Sequence, residues 1–215
     1  MFVVPPGLDL PLAVSVALAT TPDAAVLSAD ERALCGAFAS ADRRLAFALG
    51  RTAARHLLAV SLGLHAADVE LSVGDDGAPL VPGRHVSIAH TGRRGSTVAV
   101  AAVSQDPVGI DVERVGPRRP DLWRRILAPA EHGLVDTLGG PTDAVQTLLW
   151  ALKESVLKGQ RTGFRAGARS VVLALDRGAG RASAVSDVSG TWEIAYARLG
   201  EAWLAVAWST ATPAP

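Results

Sequence analysis

The feature of this 215-residue chain that most restricts its fold is an order of secondary structure that occurs twice. Apolar residues recur at helical spacing from about residue 40 past His56, and strand patterns follow at 69–73 and in a hairpin at 86–103. A second long helix is expected at 142–158. The strands that follow it are expected at 170–175, 191–199 and 202–209. The repeat predicts an α+β fold of two similar halves, a pseudo-dimer within one chain.

The boundary between the halves is predicted at Asp106-Pro107. A residue before proline is pushed away from helical backbone angles, and a new apolar run at 108–115 begins at once. We therefore expect an N-terminal half of residues 1–105 and a C-terminal half of residues 106–215. The segment 177–189 is rich in small and turn-forming residues and is predicted to be a loop.

The composition narrows the possible classes of function. The chain has 21 basic and 21 acidic side chains, so no dominant electric field directs it to nucleic acid or to a membrane surface. Its one cysteine, Cys35, cannot form an internal disulfide, which agrees with a reducing compartment. Apolar runs stay shorter than the ~18 residues of a membrane-spanning helix, and the apolar start lacks the basic region of a signal peptide. We expect a soluble, cytoplasmic, monomeric protein that binds neither nucleic acid nor membrane.

The first candidate site is the expected strand Gly109-Ile110-Asp111-Val112-Glu113. Alternation along a strand places Asp111 and Glu113 on one face, about 7 Å apart, and the branched apolar residues on the other. Mg²⁺ prefers oxygen ligands and usually binds through one or two carboxylates together with the phosphates of a substrate. The two acids therefore suit a Mg²⁺ site, although a solvated strand face would show the same pattern.

The second candidate site is on the expected long helix, in the stretch Trp150-Ala151-Leu152-Lys153-Glu154-Ser155-Val156-Leu157-Lys158. At about 100° per residue, Glu154 points away from the main apolar stripe of this helix. Trp150 and Leu157 share that far side, so we expect it to be covered by another part of the protein. The alternative for Glu154 and Lys158, four residues apart, is an exposed ion pair worth only ~0.3–0.5 kcal/mol.

Two further features suit the binding of anions. Arg44, Arg51 and Arg55 recur at i, i+7 and i+11 on the side of the first long helix opposite its apolar stripe, and guanidinium groups match phosphate oxygens well. A solvated basic helix face is the alternative. His90 ends an expected strand directly before a turn, where a ring nitrogen can donate to an anionic ligand. The alternative for a lone histidine is a structural role.

In this order, the residues resemble the 4′-phosphopantetheinyl transferase family, in its larger pseudo-dimeric class that activates peptide and polyketide synthases. The resemblance spans about residues 38–159 and depends chiefly on the two motifs at 109–113 and 150–158. Supporting matches are Gly50-Arg51 with Arg55, residues 87–91, and residues 125–131. Two positions differ from many relatives: Ala78 replaces the lysine of Gly-Lys-Pro, and Ala89 replaces the serine before the histidine. The resemblance implies coenzyme A bound between the halves, with the active site at their interface.

The resemblance also implies an enzyme, a holo-carrier-protein synthase of secondary metabolite biosynthesis. It implies Mg²⁺-dependent transfer of the 4′-phosphopantetheine group from coenzyme A to a serine of an acyl or peptidyl carrier protein, with release of 3′,5′-ADP. Asp111, Glu113 and Glu154 are the implied Mg²⁺ ligands. Glu154 is also the implied base, and Lys158 stabilises or protonates the departing nucleotide. The implied contacts with coenzyme A are Arg44, Arg51, Arg55, His90 and Lys153, with His90 at the pyrophosphate and Arg51 favoured for the 3′-phosphate.

Two other interpretations stay open. One is a catalytically silent protein of the same fold that binds coenzyme A, for which Ala78 and Ala89 are the only indications. The other is an unrelated α+β interaction domain in which each motif only decorates the surface. The intact set Asp111, Glu113, Glu154 and Lys158 argues against the first, and the ordered occurrence of the motifs argues against the second. The carrier protein cannot be identified from these residues.

Overall fold

A computed structural model of the chain describes residues 5–74, 76–92, 96–139, 141–162, 167–176 and 180–210. The first part of the chain contains β1 (Ser15–Ala19), α1 (Ala29–Ala37), α2 (Ala41–Leu62), β2 (Ser72–Val73), β3 (Pro79–Leu80), β4 (His85–Thr91) and β5 (Val98–Ser104). The second part contains β6 (Val108–Arg114), α3 (Pro120–Ile126), α4 (Leu134–Leu138), α5 (Thr142–Gly159), β7 (Val171–Asp176), β8 (Arg181–Ser186), β9 (Gly190–Leu199) and β10 (Ala202–Ser209). The α+β class is therefore confirmed. In the described ranges, no helix is both long and apolar enough to cross a membrane.

Capping hydrogen bonds and backbone angles explain the positions of the helix ends in α1 and α2. At the start of α1, the Ser28 hydroxyl accepts from the Glu31 N–H at 3.1 Å and the Glu31 carboxylate accepts from the Ser28 N–H at 2.9 Å, which is the capping box that the sequence Ser28-Ala29-Asp30-Glu31 predicts. Helix α2 begins after Ser40 and ends at Leu62, before Gly63, whose φ of 69° lies in the left-handed region that glycine tolerates. Helices α2 and α5 confirm the two long helices predicted from the sequence.

The strands form two main antiparallel sheets. One has the order β1-β5-β4 and the other β6-β10-β9-β8-β7, with β2 and β3 as a separate short hairpin. In the first sheet, β1 pairs with β5, the second strand of the β4–β5 hairpin, and α2 lies between β1 and this hairpin in the chain. In the second sheet, β6 pairs with β10, the second strand of the β9–β10 hairpin, and α5 lies between β6 and this hairpin in the chain. The predicted repeat of helix and hairpin is thus present, with β1, β5 and β4 in the places of β6, β10 and β9.

The prediction that 177–189 is a loop is wrong, because β8 occupies Arg181–Ser186 and pairs with both β7 and β9. Ala182 and Ala184 are buried and alternate with Ser183 and Val185. Small side chains carry little of the hydrophobic alternation by which a strand is recognised. Residues 177–179 lie outside the described residues.

Two smaller elements are shorter than the sequence pattern predicts. The helical pattern at 129–138 is divided into a 3-10 turn at Pro129–Glu131 and the short α4. The strand expected at 69–73 is reduced to β2. The sequence Asp75-Asp76-Gly77 and the middle of the β4–β5 hairpin also predict turns, of which Asp75 and residues 93–95 lie outside the described residues.

The two sheets pack against each other and each carries a long helix on its other face. Leu49 and Leu58 of α2 are buried against β5, and Leu149 and Leu152 of α5 are buried against the second sheet. The inner faces of the sheets share a core. That shared core includes Val16, Leu18, Val100, Ala102, Ile110, Val112, Leu204 and Val206.

Strands β4 and β6 meet along a seam between the sheets. The Ser87 hydroxyl accepts from the Ile110 N–H at 3.1 Å, and the Thr91 hydroxyl accepts from the Arg114 N–H at 3.2 Å. These two bonds satisfy backbone donors at the edge of β6 that have no strand neighbour on that side. The seam therefore holds the acidic strand against the end of β4 that carries His90.

Candidate active site

Two glycines allow α5 to lie directly on β6. A Cβ atom on Gly109 would come within 1.9 Å of the Ser155 carbonyl oxygen and 2.5 Å of the Gly159 nitrogen. A Cβ atom on Gly159 would in turn lie 2.6 Å from the Trp192 ring. Only glycine permits backbones to approach this closely. The contact brings the helix position of Glu154 beside the strand position of Asp111.

The alternation predicted for the acidic strand is confirmed. Ile110 and Val112 point into the core shared by the sheets, whereas Asp111 and Glu113 contact side chains of α5. The partly apolar face of α5 is also covered as expected, because Leu157 is fully buried and Glu154 is only 8% exposed. The covering element is the second sheet, on which α5 lies.

Asp111 and Glu154 are buried acids whose hydrogen bonds do not account for all of their carboxylate oxygens. Asp111 is 4% exposed, and its Oδ1 accepts from the Lys158 ammonium at 2.6 Å. Within the described part of the chain, Asp111 Oδ2 and Glu154 Oε1 are buried without a hydrogen-bond partner. Buried polar atoms without partners are costly in a native protein and call for an explanation such as an ion.

The electrostatics follow from this burial. Burial raises the pKa of Asp111, and the adjacent Lys158 ammonium acts against that rise. For Glu154, burial first and the Asp111 carboxylate second raise the pKa to about 7. A carboxyl group with that pKa can exchange a proton near neutral pH, as a general base must.

Glu113, the third predicted ligand, is turned toward other groups. Its Oε1 accepts from the Trp150 indole N–H at 2.9 Å, and its Oε2 accepts from the Arg118 guanidinium at 2.5 Å. In the described ranges, no set of three or more His, Cys, Asp or Glu side chains is already arranged around a metal position. The sequence did not indicate that Arg118 contacts Glu113, and it indicated Trp150 only as an apolar neighbour of Glu154. Neither contact with Glu113 follows from the spacing of residues within one element.

His90 lies at the end of β4, next to the acidic strand. Part of the residue is exposed. Its surroundings are still crowded enough for desolvation to lower the pKa of His90. The Lys158 ammonium lowers this pKa further, and the Glu113 carboxylate opposes the shift. The hydrogen bonds of Ser87 and Thr91 to β6 place His90 beside the strand that carries Asp111 and Glu113. The structure thus brings together Asp111, Glu113, Glu154, Lys158 and His90.

A cleft between the two halves opens at Lys158. It has a volume of about 440 Å³. Lys158 lines it from the second half, and Ser87, Ile88 and His85 line it from the first. Ala78, one of the positions that differ from many relatives, also lies in its wall.

The assignment of Lys153 to coenzyme A is contradicted by the structure. Its side chain is wholly buried on the other side of α5, 2.6 Å from a Glu131 oxygen, and it donates to the carbonyls of Ala168 and Val171. Glu131 also accepts from the Ala128 and Leu173 N–H groups. Lys153 therefore ties α5 to the neighbouring segments and has no surface that a ligand can reach.

The arginines of α2 are not a solvated face. Arg55 is 2% exposed and donates to Glu31 and to three backbone carbonyls, of Ala66, Ala67 and Val69, so the structure gives it a structural role. It also lines the same second cavity as Arg51, and its contact with coenzyme A stays a prediction. Arg44 donates to the carbonyls of Phe38 and Ala39 between α1 and α2 and is not part of the cleft wall.

Arg51 is also buried, but its contacts are looser. Its Nε lies 3.1 Å from Glu31 Oε1, within ion-pair distance but not aligned for a hydrogen bond, and Nη2 donates to the Ser72 carbonyl at 3.3 Å. Burial lowers the pKa of Arg51 and the Glu31 carboxylate opposes that shift. Arg51 lines a second cavity of about 500 Å³, on the α1 side of β2, and its contact with coenzyme A stays a prediction.

The geometry defines a two-halved α+β protein with buried acids beside a cleft between its halves, and comparison with known proteins identifies the family. The sequence model of the 4′-phosphopantetheinyl transferase N-terminal domain matches residues 23–104, and that of the 4′-phosphopantetheinyl transferase superfamily matches residues 107–208. These two matches together cover most of the chain. The chain belongs to the 4′-phosphopantetheinyl transferase superfamily.

Individual relatives match a smaller part of the chain. A 4′-phosphopantetheinyl transferase of Bacillus subtilis is 30% identical over 139 residues, which are 62% of this chain and 60% of the relative. The 4′-phosphopantetheinyl transferase Sfp of Bacillus subtilis (strain 168) is 26% identical over 64% of this chain and 62% of its own length. Enterobactin synthase component D of Escherichia coli (strain K12) is 32% identical over 45% of this chain and 46% of its own length. The matches to the two Bacillus proteins therefore span about 60% of those relatives' length.

Proposed function

We propose that this protein is a 4′-phosphopantetheinyl transferase, which moves the phosphopantetheine group from coenzyme A to a serine of a carrier protein and releases 3′,5′-ADP. The observation that carries the proposal is the pair of buried, unpartnered oxygens on Asp111 and Glu154 beside Lys158, next to a cleft lined by both halves. Membership of the superfamily and the names of the relatives support the same reaction.

The residues fit a magnesium ion. Asp111 Oδ2 and Glu154 Oε1 are hard oxygen donors, the kind that Mg²⁺ prefers, and burial makes their lack of a partner costly. Glu113 would complete the set by giving up its contact with Arg118. When bound, Mg²⁺ supplies positive charge that neutralises the phosphates of the substrate during transfer.

The side chains of the protein take the remaining roles. The carrier serine oxygen attacks the β-phosphorus of coenzyme A, and the bond from that phosphorus to the oxygen bridging to the α-phosphate breaks. Glu154, whose pKa is raised to about 7, accepts the serine proton. Lys158 then donates to the oxygen that leaves with 3′,5′-ADP, and His90 donates to the anionic diphosphate.

The test is a transfer assay on two conservative variants. Glu154→Gln removes the base and should reduce the rate of phosphopantetheine transfer by about 10²–10⁴-fold, and Asp111→Asn should reduce it comparably. Transfer is read as the mass gain of apo-carrier proteins incubated with coenzyme A and Mg²⁺. Glu201→Gln is the matched control, because Glu201 is 75% exposed and pairs only at the surface with Arg114.

Two outcomes would contradict the proposal. Full activity of Asp111→Asn or Glu154→Gln would remove the assigned roles. A wild-type protein that binds coenzyme A in calorimetry but modifies no member of a carrier panel would instead be the silent binding protein considered above. Cytoplasmic location, a monomeric state and a role in secondary metabolite biosynthesis stay predictions.

A further inference from the structure

Arg161 has an unusual backbone conformation at the edge of the cleft. It follows the end of α5 and has a φ of 60°, in the left-handed region that residues other than glycine rarely adopt. This conformation costs about 1–2 kcal/mol for a residue with a side chain. The end of α5 accounts for it, because the Arg161 N–H donates to the Lys158 carbonyl at 3.1 Å and the Thr162 N–H donates to the Leu157 carbonyl at 3.3 Å, a pattern that closes many helix C-termini. This helix cap leaves the Arg161 side chain in the wall of the cleft.

The guanidinium of Arg161 reaches across the cleft to the first half of the protein. Its Nη2 lies 3.3 Å from Asp76 Oδ2 and 3.4 Å from Asp76 Oδ1, in the turn between β2 and β3. Both residues line the cleft that Lys158 also lines. The Arg161 and Asp76 side chains keep 37% and 33% of their surface exposed, so this ion pair is open to solvent and to an incoming anion.

The local structure leaves room for this pair and for its exchange. A Cβ atom on Gly74 would lie 2.9 Å from Asp76 Oδ1 and 3.4 Å from Arg161 Nη2, so a side chain at position 74 would crowd both groups. Asp76 Oδ1 also accepts from the Ala78 N–H at 3.0 Å. That bond closes the turn without Arg161. The turn can therefore keep its form when the guanidinium moves to another partner.

The charges around the cleft favour an anionic ligand. Lys158 and Arg161 are the cations of its wall, and Asp76 is the acid that faces Arg161. Burial lowers the pKa of His85, and Arg161 contributes in the same direction although Asp106 opposes it, so this ring adds little charge at neutral pH. A guanidinium can form two parallel hydrogen bonds with a phosphate group, which are stronger than its long contacts with Asp76.

We propose that Arg161 is an anion-binding residue that Asp76 holds over the cleft until a phosphate group of coenzyme A displaces the Asp76 carboxylate. The proposal rests on the proposed function, because coenzyme A is taken as the ligand. It names a binding residue outside the two sequence motifs, and it gives the ion pair between the halves a role in ligand entry. A structural clasp between the halves is the competing explanation.

Two variants separate these explanations because they act in opposite directions. Arg161→Gln removes the cation and should weaken coenzyme A binding ~10- to 100-fold, the range for loss of a charge-assisted hydrogen bond. Asp76→Asn keeps an oxygen that can accept from the Ala78 N–H but removes the competing charge, so binding should be equal to or tighter than wild type. Arg198→Gln is the matched control, since Arg198 is an exposed arginine stacked on Trp203 and is not part of the cleft wall.

Calorimetry with coenzyme A and with dephospho-coenzyme A gives the readout. A loss of affinity in Arg161→Gln that disappears with dephospho-coenzyme A assigns the 3′-phosphate to Arg161, and a loss that persists assigns the diphosphate.

Wild-type affinity in Arg161→Gln overturns the inference, and so does an equal loss of affinity in Arg161→Gln and Asp76→Asn, which a structural clasp predicts. If the wild-type protein binds coenzyme A but Arg161→Gln is unchanged, only this inference fails. Wild-type protein that binds no coenzyme A removes the proposed function as well.

Discussion

At the scale of single residues, Glu154 shows how burial prepares a carboxyl group for proton transfer. Helical spacing predicted that its face of α5 would be covered, and the side chain is 8% exposed. Because water is removed and Asp111 is close, the pKa of Glu154 rises to about 7. An exposed glutamate on the same helix would stay ionised well below neutral pH.

This raised pKa predicts a pH-dependent stability. Between about pH 4.5 and 7 the native protein holds a proton on Glu154 that the unfolded chain has released, so the free energy of unfolding should fall as pH rises through this window. The fall attributable to Glu154 should reach roughly 2–3 kcal/mol. Glu154→Gln should lack this part of the dependence and be more stable than wild type at the alkaline end.

The measurement is urea unfolding of metal-free protein in chelator, at several pH values from about 5 to 8. The difference between wild type and Glu154→Gln is the quantity to follow, because Asp111 also has a raised pKa and adds a slope of the same sign to both proteins. Parallel stability profiles for the two proteins would contradict the assignment of the shift to Glu154.

At the scale of secondary structure, the site depends on the contact between α5 and β6. Gly109 and Gly159 let the two backbones touch, which sets the distance between the acids of the strand and the acid of the helix. The seam with β4 then adds His90 from the other sheet. Three elements that are separate in the chain therefore meet at one position.

Gly109→Ala should separate α5 from β6. The new Cβ would lie 1.9 Å from the Ser155 carbonyl oxygen, so the helix must move, and overpacking of this kind costs about 1–3 kcal/mol or more. Transfer activity should fall along with the free energy of unfolding. Gly116→Ala is the control, because a Cβ there meets no atom within 4 Å. Wild-type activity and stability in Gly109→Ala would show that the backbone contact is not required.

At the scale of the whole molecule, the two sheets share one apolar core. Strands β1, β4 and β5 contribute to it from one side and β6 and β10 from the other. The chain before β1 also crosses to the second sheet, where Asp9 pairs with Arg181 at 2.9 Å and Leu8 and Leu10 pack against the shared core. Neither sheet can expose its inner face without losing this burial, so we expect the halves to unfold together.

Leu204→Ala tests this coupling. Leu204 is fully buried in the shared core, and its truncation should reduce the free energy of unfolding by about 2–5 kcal/mol. Far-UV circular dichroism and tryptophan fluorescence should report one coincident transition at a lower denaturant concentration. Val185→Ala, on the exposed side of β8, is the control and should change stability little. Two separated transitions in the wild-type protein would contradict the coupling.

Much of the fold and part of the site follow from local pattern alone. The capping box at Ser28, the helical stripe of α2 and the alternation around Asp111 each depend on residues within one element, where neighbours in sequence are neighbours in space. The strand β8 was missed because its buried positions are alanines, whose small side chains give weak alternation. Its membership of the sheet depends on pairing with β7 and β9.

Only the tertiary structure decided which charged side chains face the cleft. Lys153 and Lys158 stand five positions apart on one helix, yet one is sealed against Glu131 and the other meets Asp111 beside the cleft. Arg55 was expected to bind coenzyme A, with a solvated position as the alternative, and is enclosed by α1 and the segment after α2. Arg161 belonged to no motif and lies across the cleft from Asp76. The sequence determined the elements and the faces of their residues, because those depend on short-range periodicity. The structure determined their partners, because packing joins residues that are far apart in the chain.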